Sequence, residues 1–219
     1  GDQMYSDMPI PLSLFKPDYF QKITPGDKNS ILDCSPVEIR QLYHDRYRHF
    51  WNLPEWHSMR RELPCYMILD DHDIVDNWGS AKRHQDPEWQ RFFKGVLRAY
   101  MDYQGSVVFP ADGPFPKSFD FPIIYGNSAT YVMDLRSNRR AGENGRIFSE
   151  VQASKLVDFF RNHKDIPVLF LVLSVPVIHL PRSFARIAAR LFPEQEDFSD
   201  RWSSGSHIRD RDRDRKSVV

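Results

Sequence analysis

Three aspartates and a histidine stand together at Asp70-Asp71-His72-Asp73, directly after the short apolar run Cys65-Tyr66-Met67-Ile68-Leu69. Hard oxygen ligands delivered with one imidazole from the end of a buried segment suit metal-assisted phosphoryl chemistry. Carboxylates packed this closely repel one another unless cations or arginines compensate. A solvated acidic turn that caps a following helix is the competing reading. His72 among these acids is expected to hold its proton more tightly than usual, which would let it donate to a leaving oxygen.

A second acidic motif opens the chain at Gly1-Asp2-Gln3-Met4-Tyr5. A carboxylate at a strand end can bridge two cations, and a phenol three residues on can reach one of them. The same five residues also read as an ordinary turn with an exposed aspartate. A third group, Asp134, Arg136 and Arg139, holds two arginines suited to a planar phosphate grip. An aspartate–arginine network that merely ties down a loop fits those residues as well. His44, His49, His57, His84, His163, His179 and His207 show no ligand spacing and are read as structural or surface residues.

The elements that must position these groups follow from periodicity and caps. Ser35-Pro36-Val37-Glu38 is a capping box with proline at the first helical position. Ile39, Leu42, Tyr43, Tyr47, Phe50 and Trp51 continue at helical spacing to about Asn52, before Pro54. A stronger helix begins at Asp86-Pro87 and carries Trp89, Phe92, Phe93, Val96, Leu97, Tyr100 and Met101 on one face. Residues 65–69 read as a fully buried strand that delivers the acidic cluster at its C-terminal end. Phe121 to Tyr125 and Ala129 to Leu135 read as strands of a hairpin around Gly126-Asn127-Ser128. Ser149 and Gln152 form another capping box, opening a helix through Phe160, and Val168 to Leu173 is the most apolar strand. Residues 8–34 and 105–120, rich in proline, are expected to be surface loops. A short helix is expected around Phe184 to Leu191, and the charged segment 203–219 is expected to fray. The order of elements predicts mixed α/β layers.

Composition bounds the partners. With 219 residues, 41% of them apolar and 14% aromatic, the chain can bury a substantial core. Lysine plus arginine equals aspartate plus glutamate at 30 each, so no global field recruits nucleic acid or an anionic membrane. The tail Arg209 to Lys216 interleaves arginine with aspartate and cancels the charge that phosphate contacts need. No apolar stretch reaches the length of a membrane span, because Pro167 and Pro176 interrupt the longest candidate, Ile166 to Ile178; the chain reads as soluble. Two cysteines, Cys34 and Cys65, define no disulfide framework, so compartment stays open.

With its motifs placed, the chain resembles the PhoD-like alkaline phosphatases, a branch of the calcineurin-like metallophosphatases. Gly1-Asp2-Gln3-Met4-Tyr5-Ser6-Asp7 is similar to that family's Gly-Asp-Gln-Ile-Tyr-Ala-Asp segment. Met67 to Asp73 resembles its Asp-Asp-His-Asp/Glu segment, followed here by Asp76-Asn77-Trp78. Ala99 to Gln104 is similar to an aromatic Tyr-Gln helix of some members. Asp134 to Arg139 resembles the Asp-x-Arg-x-x-Arg strand end, and Ser174-Val175-Pro176 the Ser-x-Pro turn.

The resemblance implies a metallophosphatase-like four-layer αββα sandwich with a binuclear metal centre, iron with calcium or another divalent pair such as zinc, manganese or magnesium. By that analogy Asp2 bridges the metals, Tyr5 ligates the more oxidised one, and Asp71 takes the asparagine ligand position of the wider superfamily. His72 acts as the acid or transition-state stabiliser, Asp73 orients its imidazole, and Arg136 and Arg139 contact a phosphate-ester substrate. A metal-bound hydroxide then attacks phosphorus in line. The family's further ligands, from a strand before Gly-Asp and from a Gly-Asp-Val-His type segment after the last helix, have no match here. Residues 1–219 are therefore expected to be the central part of one catalytic domain, incomplete at both ends and a poor metal binder alone. The alternative expectation is a catalytically degenerate phosphatase scaffold kept as an interaction or lipid-binding module. A DHH-type manganese phosphoesterase is a weaker third, opposed by the Gly-Asp-Gln-Met-Tyr opening and the Asp-Leu-Arg strand end.

Overall fold

A computed structural model describes residues 1–24, 26–142, 145–176 and 187. Two compact units divide these residues. The first comprises Gly1–Trp78 and Gln85–Pro114; the second comprises the described residues of Gly79–His84 and Phe115–Val219.

The first unit is built on helices whose starts are written in proline. Helix α1 (Pro17–Ile23), α2 (Pro36–Trp51), α3 (Pro54–Glu62) and α4 (Pro87–Tyr103) each begin with that residue. Its fixed φ suits the first turn, where a missing N–H costs nothing. In α2 the capping box is formed as expected, with Ser35 and Glu38 exchanging side-chain and backbone bonds. Helices α2 and α4 present their aromatic stripes to each other, with Tyr43 and Phe92 ring centroids 5.9 Å apart. Tyr43, Tyr47, Phe92, Val96 and Tyr100 are buried with Met4, Leu14, Phe20, Leu69 and Ile74.

Three expectations for this unit change. Residues 8–34 hold α1 and two 3-10 turns, Ile10–Leu12 and Ile31–Asp33, rather than only loop. Burial of Phe20 anchors α1. Pro54 starts a new helix instead of only ending α2. Residues 65–69 form no strand. Met67, Ile68 and Leu69 are buried, Tyr66 is 50% exposed, and the run pairs with no strand among the described residues. Side chains hold it instead: the Tyr100 hydroxyl donates to the Met67 carbonyl at 3.3 Å, and the Asp70 N–H donates to the Asp73 carboxylate at 2.9 Å.

The second unit is a three-stranded mixed sheet covered by one helix. Strands β1 (Phe121–Tyr125) and β2 (Ser128–Val132) form the expected antiparallel hairpin, with Phe121 opposite Val132 and Tyr125 opposite Ser128. Helix α5 (Glu150–Asn162) then crosses over to β3 (Val168–Val172), which pairs parallel to β2 with Ala129 opposite Leu169. Such a β-α-β crossover is the way consecutive parallel strands are joined. Leu156 and Phe159 of α5 pack with Ala129, Tyr131, Met133 and Leu135. Strand β2 stops at Val132, short of the expected Leu135, because the Asp134 N–H turns to the Asp120 carboxylate at 3.0 Å. The expected helix at 184–191 and charged end at 203–219 lie outside the described residues, apart from helical Ile187. Among the described residues no helix is long and apolar enough to cross a membrane.

Close approach of α2 and α4 depends on Gly95. A Cβ there would meet Ile39 Cβ and the Pro36 carbonyl oxygen, each at 2.7 Å. In an open helix, Gly→Ala gains about 1 kcal/mol from propensity. Here overpacking against backbone opposes it with about 1–3 kcal/mol. Gly95→Ala is therefore expected to lower stability by up to about 2 kcal/mol, read as a lower urea midpoint; a raised midpoint would mean the two helices do not approach this closely.

Candidate metal centre

The opening motif and the acidic cluster, about seventy residues apart in sequence, are clipped together by hydrogen bonds. Ser6 N–H donates to the His72 carbonyl at 3.1 Å, and Ser6 Oγ donates to the Ile74 carbonyl at 2.7 Å. Helix α2 fixes both segments from one side. Arg46 donates to the carbonyls of Tyr5 at 2.7 Å and Met8 at 2.6 Å, Trp51 Nε1 donates to the Gln3 carbonyl at 2.9 Å, and the Tyr43 hydroxyl donates to the Ile74 carbonyl.

Asp73 is the centre of this arrangement. Its buried carboxylate accepts the N–H groups of Asp2 at 2.9 Å, Gln3 at 3.1 Å, Met4 at 3.1 Å and Asp70 at 2.9 Å. The Gln104 side-chain amide, just past α4, donates to it at 3.0 Å and to the Tyr47 hydroxyl at 2.9 Å. Burial pushes the Asp73 carboxyl up from its ordinary range, against the downward pull of the Asp70 N–H and Gln104. The Asp73 carboxylate thus makes no hydrogen bond to the His72 ring, contrary to the orienting role expected for it. Its lone pairs are taken by the backbone of both segments.

Asp7 takes the orienting position instead. Its Oδ1 lies 2.8 Å from His72 Nδ1, and its Oδ2 accepts the Asp76 N–H at 2.6 Å. Burial disfavours a charged His72 ring, yet the hydrogen bond to Asp7 and the charges of Asp7, Asp71 and Asp2 push its pKa up to about 9. The ring stacks on Tyr5, with centroids 4.6 Å apart.

Asp2, Asp70 and Asp71 form a further acidic group, in which Asp71 Oδ2 accepts the Asn77 N–H at 2.9 Å. Their carboxylates can each offer an oxygen such that these atoms lie within 4.8 Å of one another. Asp71, His72 and Asp76 form a second such group that shares Asp71, but a protonated His72 has no lone pair for a cation, which leaves the group two carboxylates. Asp2 Oδ1 is buried without a hydrogen-bond partner. Burial, and then the charges of Asp70 and Asp71, push the Asp2 carboxyl up to about 6. Asp2 also sits at φ 55, a left-handed conformation that a non-glycine residue holds only when its surroundings over-determine it. Gly1 permits the approach: a Cβ there would lie 2.3 Å from Asp70 Cβ. The Tyr5 hydroxyl is pushed up by burial and by the charges of Asp2, Asp71 and Asp73. An orphaned oxygen among convergent hard carboxylates is what a divalent cation would satisfy, so these residues fit such a group.

Asp134, Arg136 and Arg139 are buried in the second unit. Asp134 accepts the N–H groups of Phe119 at 3.0 Å, Arg136 at 3.0 Å and Ser137 at 2.9 Å, so its carboxylate ties a turn together. Gln152, the capping residue of α5, donates to Asp120 Oδ1 at 2.7 Å and to the Asp134 carbonyl at 2.8 Å. Sequence reasoning singled out neither Asp7 nor Gln104 for a role. Asp7 was visible as the last acid of the opening motif, and Gln104 as the polar end of an aromatic helix; their partners are long-range and had no local signal.

The family model described as PhoD-like phosphatase matches residues 1–162. No curated protein matches the chain. Among solved structures the chain is similar to one described as "Structure of PhoD", with 14% sequence identity and a TM-score of 0.61, covering 82% of this chain and 36% of that one. At that identity the likeness shows the fold, and the expected mixed α/β class is borne out; of the two packed sheets of the expected four-layer αββα sandwich, the described residues hold one three-stranded sheet. The chain spans only about a third of that protein's length.

The His72–Asp7 pair makes stability depend on pH in the metal-free protein. A histidine raised from 6.5 to about 9 on folding contributes stability that is fully present below about 6.5 and lost as pH rises through about 9. Discounted for partial solvent screening, that contribution is about 1–2 kcal/mol. Urea unfolding should show Asp7→Asn less stable than the parent by this margin at pH 6, with the gap closing above pH ~9.5. A gap that stays constant across the range would contradict the coupling.

Proposed function

Because the chain belongs to the PhoD-like phosphatase family, we propose that the protein carrying it hydrolyses phosphate esters with the help of bound divalent cations. The observation that most supports this reading is the convergence of Asp2, Asp70 and Asp71 around the buried, unpartnered Asp2 Oδ1. Asp2, Tyr5 and Asp71 would hold the cations, iron with calcium or a pair drawn from zinc, manganese and magnesium. When bound, such a pair supplies a water acidic enough to react at neutral pH and neutralises charge on the phosphoryl oxygens.

The chain's own side chains do the rest. His72, kept protonated by Asp7, has its Nε2 3.7 Å from Asp76 Oδ1, and a phosphoryl or leaving-group oxygen would compete with that carboxylate for the Nε2 proton. Tyr5 stacks on the ring and limits its rotation. Asp73 acts as a positioning residue, because its contacts are with the backbone that carries Asp2 and Asp70. Arg136 and Arg139 are proposed as substrate contacts on the Asp134 to Arg139 motif alone. Residues 1–219 are proposed as part of one catalytic domain, and the substrate is left at the level of phosphomonoesters or phosphodiesters.

The test is elemental analysis paired with hydrolysis of a chromogenic phosphomonoester and diester by the full-length protein that contains this chain. Asp71→Asn should lower metal occupancy and activity together. His72→Ala should keep its metal and lose about 10²–10⁴-fold in kcat, the usual worth of a positioned acid. Equal metal loss in both variants would contradict the separate roles. A folded parent with neither metal nor hydrolysis would instead support a catalytically degenerate scaffold.

A further inference from the structure

A cavity of about 780 Å³ is bounded by the end of α2, by α3 and by the segment that closes α4. That volume lies within the range of small-molecule sites, and no candidate metal ligand lines it. Its walls are Trp51, Trp56 and Tyr103, and its cations are Arg48, Arg60 and Arg61. The Trp51 ring lies 5.9 Å from Trp56 at 50° and 5.6 Å from Tyr103 at 80°, centroid to centroid. Rings this close touch one another and form one continuous aromatic wall.

Charge distinguishes the cations. Arg48 is paired with Asp45. Asp102 also lines the cavity, but its carboxylate is held by Arg40 Nε and by His44 Nε2, each at 2.6 Å. Arg60 and Arg61 have no acidic partner among the described residues. The Arg60 guanidinium lies 4.3 Å above the Trp51 ring, a pose that fixes the cation and leaves its N–H edge available. Trp56 Nε1 is buried without a hydrogen-bond partner. An unmet buried donor costs about 1–3 kcal/mol, so an occupant that brings an acceptor gains by meeting it.

We propose that this cavity is a second binding site, for a phosphate monoester that carries a flat aromatic ring. The ring packs flat against the aromatic wall, and the phosphate oxygens accept from Arg60, Arg61 and Trp56 Nε1. A dianion with several acceptor oxygens matches two free guanidiniums better than a carboxylate does. A nucleic-acid strand does not fit the same observations, because 30 basic residues are balanced by 30 acidic ones and no extended positive track results. Nucleoside and simple aryl phosphates share the chemistry that the cavity recognises. The site requires no metal and stands whether or not the phosphoesterase reading holds.

Calorimetric titration of the chelator-treated protein with adenosine 5′-monophosphate, phenyl phosphate, adenosine and inorganic phosphate tests this. Saturable binding is expected for one or both ring-bearing phosphates, at least tenfold tighter than for adenosine or inorganic phosphate. Tighter binding of the nucleotide points to a nucleoside ligand, and equal binding of phenyl phosphate to an aryl one. Arg61→Glu, on an exposed side chain that cannot unfold the helix, should weaken binding at least tenfold, and Trp56→Phe should weaken it severalfold while keeping the wall. Absence of saturable binding by either ring-bearing probe at millimolar concentration, or binding that Arg61→Glu leaves unchanged, would overturn the proposal.

Discussion

One buried carboxylate decides the geometry of the first unit. Asp73 gathers the N–H groups of Asp2, Gln3 and Met4 from the chain's opening and of Asp70 from its own turn. Each of these donors would cost free energy if buried without an acceptor. Removing the shared acceptor would therefore release both segments at once. The conformation of Asp2, left-handed with one carboxylate oxygen unpartnered, is held in place by this shared acceptor. A site of like charges can persist only where the backbone is over-determined, and Asp73 supplies that over-determination.

The helices extend the same constraint outward. Gln104 links Asp73 to Tyr47 of α2, and Trp51 and Arg46 of the same helix hold the carbonyls of Gln3 and Tyr5. Tyr47 in turn stacks on Tyr103 at 4.5 Å. Trp51 and Tyr103 thus serve two surfaces: inward they brace the acidic loops, and outward they wall the cationic cavity. Buried polar networks of this kind work only when nearly every member is satisfied. In this network Asp2 Oδ1 and Gln104 Oε1 are buried without a hydrogen-bond partner, and Asp2 Oδ1 belongs to the group of convergent carboxylates.

Much of the frame was legible in the sequence because its signals are local. The capping boxes at Ser35 and Ser149, the aromatic stripe of α4 and the hairpin at Gly126 all follow from residues a few positions apart. Proline caused the misreadings: at Pro17 and Pro54 it opens a helix, and only the burial of Phe20 and the packing of Trp56 distinguish that from a break. The run at 65–69 has strand composition but no strand beside it, and composition cannot show the absence of a partner. The acidic residues were recognisable as a group, but their division of labour was not. Asp73 on backbone, Asp7 on His72 and Asp2, Asp70 and Asp71 facing one another are relations across about seventy positions, fixed by the fold.

Amide hydrogen exchange of the metal-free protein, compared with Asp73→Ala, tests the central role of that carboxylate most directly. The Gln3, Met4 and Asp70 amides are expected to be slow in the parent and to lose protection together in the variant, while the central amides of α2 and α4 stay protected. Slow exchange of those three amides in both proteins would contradict that role.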